Sequence, residues 1–548
     1  MSLLRRFGVM GKLGLAASLW LTALAGCSSE PEPDGVQGGG SGGGSDGENP
    51  GGGEALCASS QPGTPLLRRL TVREFEATLT EAFPEVAGSW TSSLSSDPIS
   101  HYGYDNAAER LLVGKQKARE IDGTAASLAS AVSGAVTQLL PCAASSPDRA
   151  CAEGFLDKYG KRLFRRPLEA TDKDKLLGFF DEAVAKTDFA EAIGWLTRAL
   201  VHSPHTVYRS ELGVLADGER KLTQHEVAAA LAFTFGGAPP SDALLARADA
   251  GELASPEVLV QVARDLIVTP RGRENLHHLF GSWLGYSRVT NLTKTNVPEF
   301  DALRGDMREE TRRFIELVVF EGAGGVVELL TSPVTTPSQA LAQFYGFPAP
   351  GADYQSVPRP ETGGIGILAQ GSVLATQASP DGSSPTKRGL LVMENFLCRT
   401  PPEVPADVPL LPAPQVGQVT TRQRYEEVHS VGGCNNCHRM FDPIGFGFEH
   451  FDEVGRYRAD EGGLTIDASG QVPGSFTFSG QSELAELLAH EEEMQTCVSA
   501  RVKAYAFGTE DACLGETERA AFMSGAIGFV DYIASLAAEP HFVRRKPQ

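Results

Sequence analysis

A chain of 548 residues is several times the usual domain size, so it must divide into several packed units, and 41% hydrophobic against 21% charged residues leaves enough apolar surface to bury real cores. The formal net charge of -21 repels phosphates and anionic headgroups alike, which argues against nucleic acid as a partner. The acidic residues are scattered, so they read as a solvated surface and not as a docking patch.

Residues 1–26 carry the grammar of an export signal. Arg5, Arg6 and Lys12 precede an apolar run from Leu13 to Leu24 that is too short to span a bilayer, and small residues follow just before Cys27. The ending Leu24-Ala25-Gly26-Cys27 resembles the lipobox of bacterial lipoproteins. That resemblance implies cleavage before Cys27, lipidation of Cys27 and, with Ser28 next, an outer-membrane location facing the periplasm or the cell surface. No later segment supplies the roughly 18 apolar residues of a membrane helix, so the lipid is the expected membrane contact. Residues 27–56 are mostly Gly, Ser, Pro and acidic residues, as in GGGSGGGSDGENPGGG. Such a segment cannot offset its ordering entropy by burial and predicts a tether reaching about 30 Å.

The body is predicted to be mainly α, built from several consecutive helical domains. Thr71 and Glu74 form a capping box with Leu70 stapled onto Phe75, after which Phe75, Leu79 and Phe83 share one helical face. Thr223 and Glu226, with Leu222 against Val227, repeat that grammar. Helical spacing recurs over 155–164, 176–200, 258–266, 275–286, 307–320 and 481–489, with few alternating stretches. Pro and Gly clusters divide the body into 57–148, 149–213, 214–350, 351–460 and 461–548, with the haem-binding segment described below in 351–460. Six prolines from Pro401 to Pro414 make residues 400–417 an extended, polyproline-like strap.

The strap leads into Cys434-Asn435-Asn436-Cys437-His438. With 9 Cys and 11 His in the chain, roughly 0.003 chance occurrences of Cys-x-x-Cys-His are expected, so the motif carries weight. Two thiols one helical turn apart can each add to a vinyl group of one haem, and the imidazole that follows reaches the iron. The expectation is therefore one covalent c-type haem on Cys434 and Cys437, with His438 as proximal ligand, in a cytochrome c-like segment. Met440, Met494, His429 and His450 are the candidates for the sixth iron ligand, each with an ordinary packing or capping role as the alternative. Zinc on Cys434, Cys437 and His438, with His429 or His450 as fourth ligand, is the competing reading. A thioredoxin-like redox pair is a weaker one, since no strand, helix and strand pattern surrounds the motif. The pair His277-His278 on an amphipathic helix reads as core or surface ahead of ligation.

Once Cys27, Cys434 and Cys437 are assigned, six cysteines remain, and an even remainder in an exported chain predicts three disulfides. Nearness in sequence favours Cys142 with Cys151 and Cys497 with Cys513, which leaves Cys57 with Cys398.

Seven stretches then follow one another: RRLTVREFEATL at 68–79, KRLFRRPL at 161–168, HSPHTVYRSE at 202–211, FGSWLGYSRV at 280–289, KRGLLVMENFLCRTPP at 387–402, CNNCHRMFDPIGFGFEHFDEVGRYR at 434–458 and CVSARVKAYAFG at 497–508. Their order resembles a family of secreted, cytochrome-like multidomain proteins of planctomycetes and myxobacteria, built from consecutive domains of unknown function. The resemblance covers most of the mature chain and implies an architecture and a haem, but no particular reaction. It also implies the tail Asp442-Pro443-Ile444-Gly445 with Glu449, Asp452, Gly455 and Arg458, all present here, whereas His450 stands where the pattern has Asn. Arg456 or Arg458 could pair with haem propionates, since guanidinium matches carboxylate bidentately; a turn followed by a salt-bridged helix end is the alternative.

Together these features predict an exported lipoprotein that transfers electrons at the cell envelope with a redox partner protein whose identity the sequence does not reveal. A haem oxidase or peroxidase acting on an extracellular substrate is the enzymatic alternative, and a zinc-stabilised binding or structural lipoprotein the non-redox one. No Ser, His and Asp set and no phosphate-cradling loop stands out.

Overall fold

A computed structural model describes residues 62–216, 218–322, 324–402, 418–509 and 517–547. The export signal, Cys27, the tether, Cys57, Cys513 and residues 403–417 of the proline strap lie outside the described residues.

The fold is mainly helical, with strands confined to two- and three-stranded ribbons. Side-chain caps start many of the helices. Helix Val72–Ala82 opens on Thr71, whose hydroxyl accepts from the Glu74 amide while Glu74 accepts from the Thr71 amide, and helix Gln224–Leu231 opens on the same reciprocal pair of Thr223 and Glu226. Helices Pro256–Ile267, Pro270–Leu284 and Pro385–Asn395 each start on a capping Ser255, Thr269 or Ser384 followed by proline, whose missing N–H costs nothing in a first turn. The helix predicted over 176–200 is two, Ala170–Val184 and Phe189–His202, because Asp188 accepts from the Glu191 amide and caps a new start. The helices predicted over 155–164 and 307–320 each include one wider π turn, Leu156–Gly160 and Leu317–Glu321.

Two large cores form. One gathers Phe83, Phe155, Tyr159 and Leu196 and joins helix Val72–Ala82 to Lys115–Gly134, Ala170–Val184 and Phe189–His202. The other runs from Leu222 through Trp283, Phe314, Leu391 and Phe448 to Phe542, so helices from both sides of the proline strap bury their apolar faces together. Strand Leu66–Arg69 lies antiparallel to Tyr208–Glu211, with Leu66 opposite Glu211, and Arg544–Arg545 pairs with Glu219–Lys221. Gly63 exchanges backbone hydrogen bonds with Arg544 and Lys546, so the two ends of the described body meet.

Cys142 is bonded to Cys151, as sequence proximity suggests. The other two expected pairings are corrected: Cys398 is bonded to Cys497, 99 residues away, instead of Cys57 to Cys398 and Cys497 to Cys513. Helix Glu492–Phe507 packs beside the end of Pro385–Asn395, where Arg399 grips Glu493 through Nε at 2.7 Å and Nη2 at 2.5 Å, and this contact brings the two cysteines together. Among the described residues no helix is long and apolar enough to cross a membrane.

Candidate functional site

The site is built where helix Pro385–Asn395 meets the single turn Asp442–Gly445. A methyl group on Gly389 would fall on the Phe441 carbonyl oxygen, and one on Gly445 would fall on the Pro385 carbonyl oxygen. Two glycines thus let the backbones touch, and that approach places Asp442. The Thr386 hydroxyl donates to Asp442 Oδ1 at 2.6 Å. The other carboxylate oxygen, Oδ2, accepts from His429 Nδ1 at 2.6 Å and from His438 Nδ1 at 3.1 Å.

His429 ends helix Thr421–His429, and His438 ends helix Cys434–His438, four residues before Asp442. Their rings stack with centroids 3.5 Å apart and planes 26° from parallel. Because both Nδ1 atoms aim at one oxygen and the rings are nearly parallel, both Nε2 atoms point away from Asp442 on the same side. His429 is buried and its Nε2 has no hydrogen-bond partner. Burial alone would push the Asp442 carboxyl above its ordinary range, but hydrogen bonds from His429 and His438 outweigh it and hold the carboxyl below that range. His429, His438 and Asp442 each offer one ligand atom within 4.8 Å of the others, a spacing at which they could hold a metal ion.

Cys437 is a half-buried free thiol, while Cys434 is buried and disulfide-bonded. A c-type haem needs both thiols. Cys437 fits, and so does His438, with Nδ1 held and Nε2 left for iron; Cys434 fits only with its disulfide opened. His429 does not fit as sixth ligand, because it stands beside His438 and not across a porphyrin from it. Met494 is fully buried in the larger core, against which the partly exposed Met440 also packs. The His450 Nδ1 donates to the Arg458 carbonyl at 3.0 Å, and its ring stacks on Tyr457. Arg456 pairs with Asp452 at 2.8 Å and lies over the Phe344 ring. Arg458 pairs with Glu449 at 2.8 Å and Glu461 at 3.3 Å. Both guanidiniums thus pair with carboxylates of this chain, as in the alternative of a salt-bridged helix end, Arg456 through Nε alone. His277 and His278 pair with Glu316 and Asp105.

The sequence singles out neither Thr386 nor Gly389, and Gly445 only as part of the family's tail. The four-residue spacing of His438 and Asp442 is short enough for them to meet across the turn between their two helices.

Three consecutive stretches match described families: residues 151–211 match PSD5, a protein of unknown function (DUF1595); residues 222–347 match PSD4, a protein of unknown function (DUF1592); and residues 365–461, which contain the whole site, match PSCyt3, a protein of unknown function (DUF1588). The chain thus carries consecutive domains of unknown function. No curated protein and no solved structure matches it.

Proposed function

We propose that this chain is an exported lipoprotein, held at the cell envelope through Cys27, that carries one c-type haem on Cys434, Cys437 and His438 and exchanges electrons with a partner protein. His438 carries the reading. It directly follows Cys437, its Nδ1 is tied to buried Asp442 and its Nε2 is left for iron, and such a partner on the second ring nitrogen fixes the ring and raises its basicity. When bound, the haem supplies one-electron chemistry. Thr386 orients Asp442, Asp442 orients His438, and Cys434 and Cys437, both as thiols, provide the anchors.

The test is an intact mass and a haem stain on a denaturing gel, using protein matured in a host competent for cytochrome assembly. One porphyrin adduct, lost in Cys437→Ala, is the expected result; a low-spin visible spectrum goes with electron transfer, and a high-spin, peroxide-reactive one with an oxidase or peroxidase. Colourless protein with no adduct overturns the haem. Cys27→Ser should release the chain from the membrane fraction.

The unpartnered Nε2 of buried His429 favours a second reading, a non-haem divalent cation held by His429 and His438, whose rings Asp442 orients. Colourless protein with one bound metal ion per chain would support it.

A further inference from the structure

Far from the haem motif, a cavity of about 380 Å³ opens between the first strand, the end of helix Glu492–Phe507 and the C-terminal strand. Arg68, Arg209, Arg545 and Lys546 line it, against the carboxylates of Glu211 and Glu109. Glu211 is already shared, taking Arg209 as an ion pair and Arg545 Nη2 at 2.6 Å. Arg68 is only 4% exposed and has no carboxylate partner among the described residues. Its Nη1 and Nη2 donate to the carbonyls of Phe507 and Asn106, both at 3.0 Å, and its buried Nε donates to nothing. The buried Nε of Arg545 is likewise without a partner. Gly508, with φ +57°, lies so close to the Arg68 guanidinium that a methyl group would collide with it.

A buried guanidinium without a counter-charge is costly, and proteins normally compensate it. Here Arg68 lies in the field of Glu211 and Glu109 without pairing directly with either, and four cationic side chains line the open cavity against those two carboxylates. The rest of the lining includes Phe507 and Phe542, which suit a carbon body more than a bare inorganic ion. We infer that this cavity is a binding site for a small organic carboxylate, whose charged end pairs with Arg68 and whose body lies against the two phenylalanines. Lys546, exposed at the rim, draws the anion in.

The experiment is calorimetric titration of the full chain with succinate, with neutral succinamide and with inorganic phosphate, together with thermal melts. Succinate should bind saturably and raise the melting temperature, and succinamide should not. Arg68→Gln should weaken succinate at least about tenfold, as expected for loss of a charged hydrogen bond. Lys546→Gln, at an exposed position, should weaken it less, with an unchanged melt. If Arg68 only clamps the Phe507 and Asn106 carbonyls, Arg68→Gln will lower the melting temperature and the intact chain will bind no succinate. That result, equal binding of succinate and succinamide, tighter binding of phosphate than succinate, or unaltered succinate affinity in Lys546→Gln would overturn the assignment.

Discussion

His429 and His438 stack face to face, 3.5 Å between ring centroids, above a single carboxylate oxygen. The two chemistries open to this pair separate on substitution. His429→Ala should leave haem incorporation intact, because His429 is on the wrong side of His438 to ligate the same iron from the opposite face. The same change should abolish binding of a non-haem cation. Asp442→Asn should impair either, with about a 10–100-fold loss of metal affinity expected for a lost orienting partner. Haem absorbance and metal content per chain, measured on the same preparations, decide.

The glycine contact at the crossing makes a stability prediction. Gly389→Ala must separate the 385–395 helix from the Phe441 carbonyl, at a cost of about 1–3 kcal/mol or more, and should also displace Asp442. Gly178, inside helix Ala170–Val184 with nothing near its missing side chain, provides the contrast: Gly178→Ala should stabilise by about 0.5–1 kcal/mol. Urea denaturation of the two variants should move in opposite directions.

Removing the Cys398–Cys497 bridge, by Cys398→Ala with Cys497→Ala, should cost about 2–5 kcal/mol, since it closes a loop of 99 residues. The loss should appear as a lower melting temperature under oxidising conditions that largely disappears when both proteins are melted in strong reductant.

Glu211 makes an acid-stability prediction. Burial opposes its ionisation, but Arg209, Arg545 and Arg68 overcome that and hold the carboxyl far below its ordinary 4.5. Its contribution is therefore complete above about pH 4.5 and drains as pH falls beneath that value, by up to about 1.4 kcal/mol per unit. Glu211→Gln should be less stable than the parent at neutral pH, and the gap between them should narrow as pH drops from 4.5 towards 2.

What could be read from the sequence was local. The Thr71 and Thr223 boxes and the Cys142–Cys151 bridge depend on residues within one turn or one short loop, and they stand where the sequence puts them. Cys398 and Cys497 meet only because two distant helices pack, and nothing near either cysteine announces the other. The same holds for Gly389 and Gly445, whose glycine character matters only once the backbones cross. At the site, His438 and Asp442 are four residues apart and meet across one short turn, a local contact. His429 joins them from a separate helix, so its place depended on the turn between 430 and 433. Arg456 and Arg458 each pair with a carboxylate a few residues away, the salt-bridged alternative that their spacing already offered.

Arg545 reaches Glu211 from 334 residues further along the chain. A polypeptide synthesised from its N-terminus forward presents Glu211 long before that guanidinium emerges. Until then the acid has Arg209 beside it but no strand at 544–545 to seal it in, so this edge of the body cannot settle before Arg545 has been made. Closure of this edge waits on Arg545, and a version clipped before it should linger as a loosely closed species open to proteases.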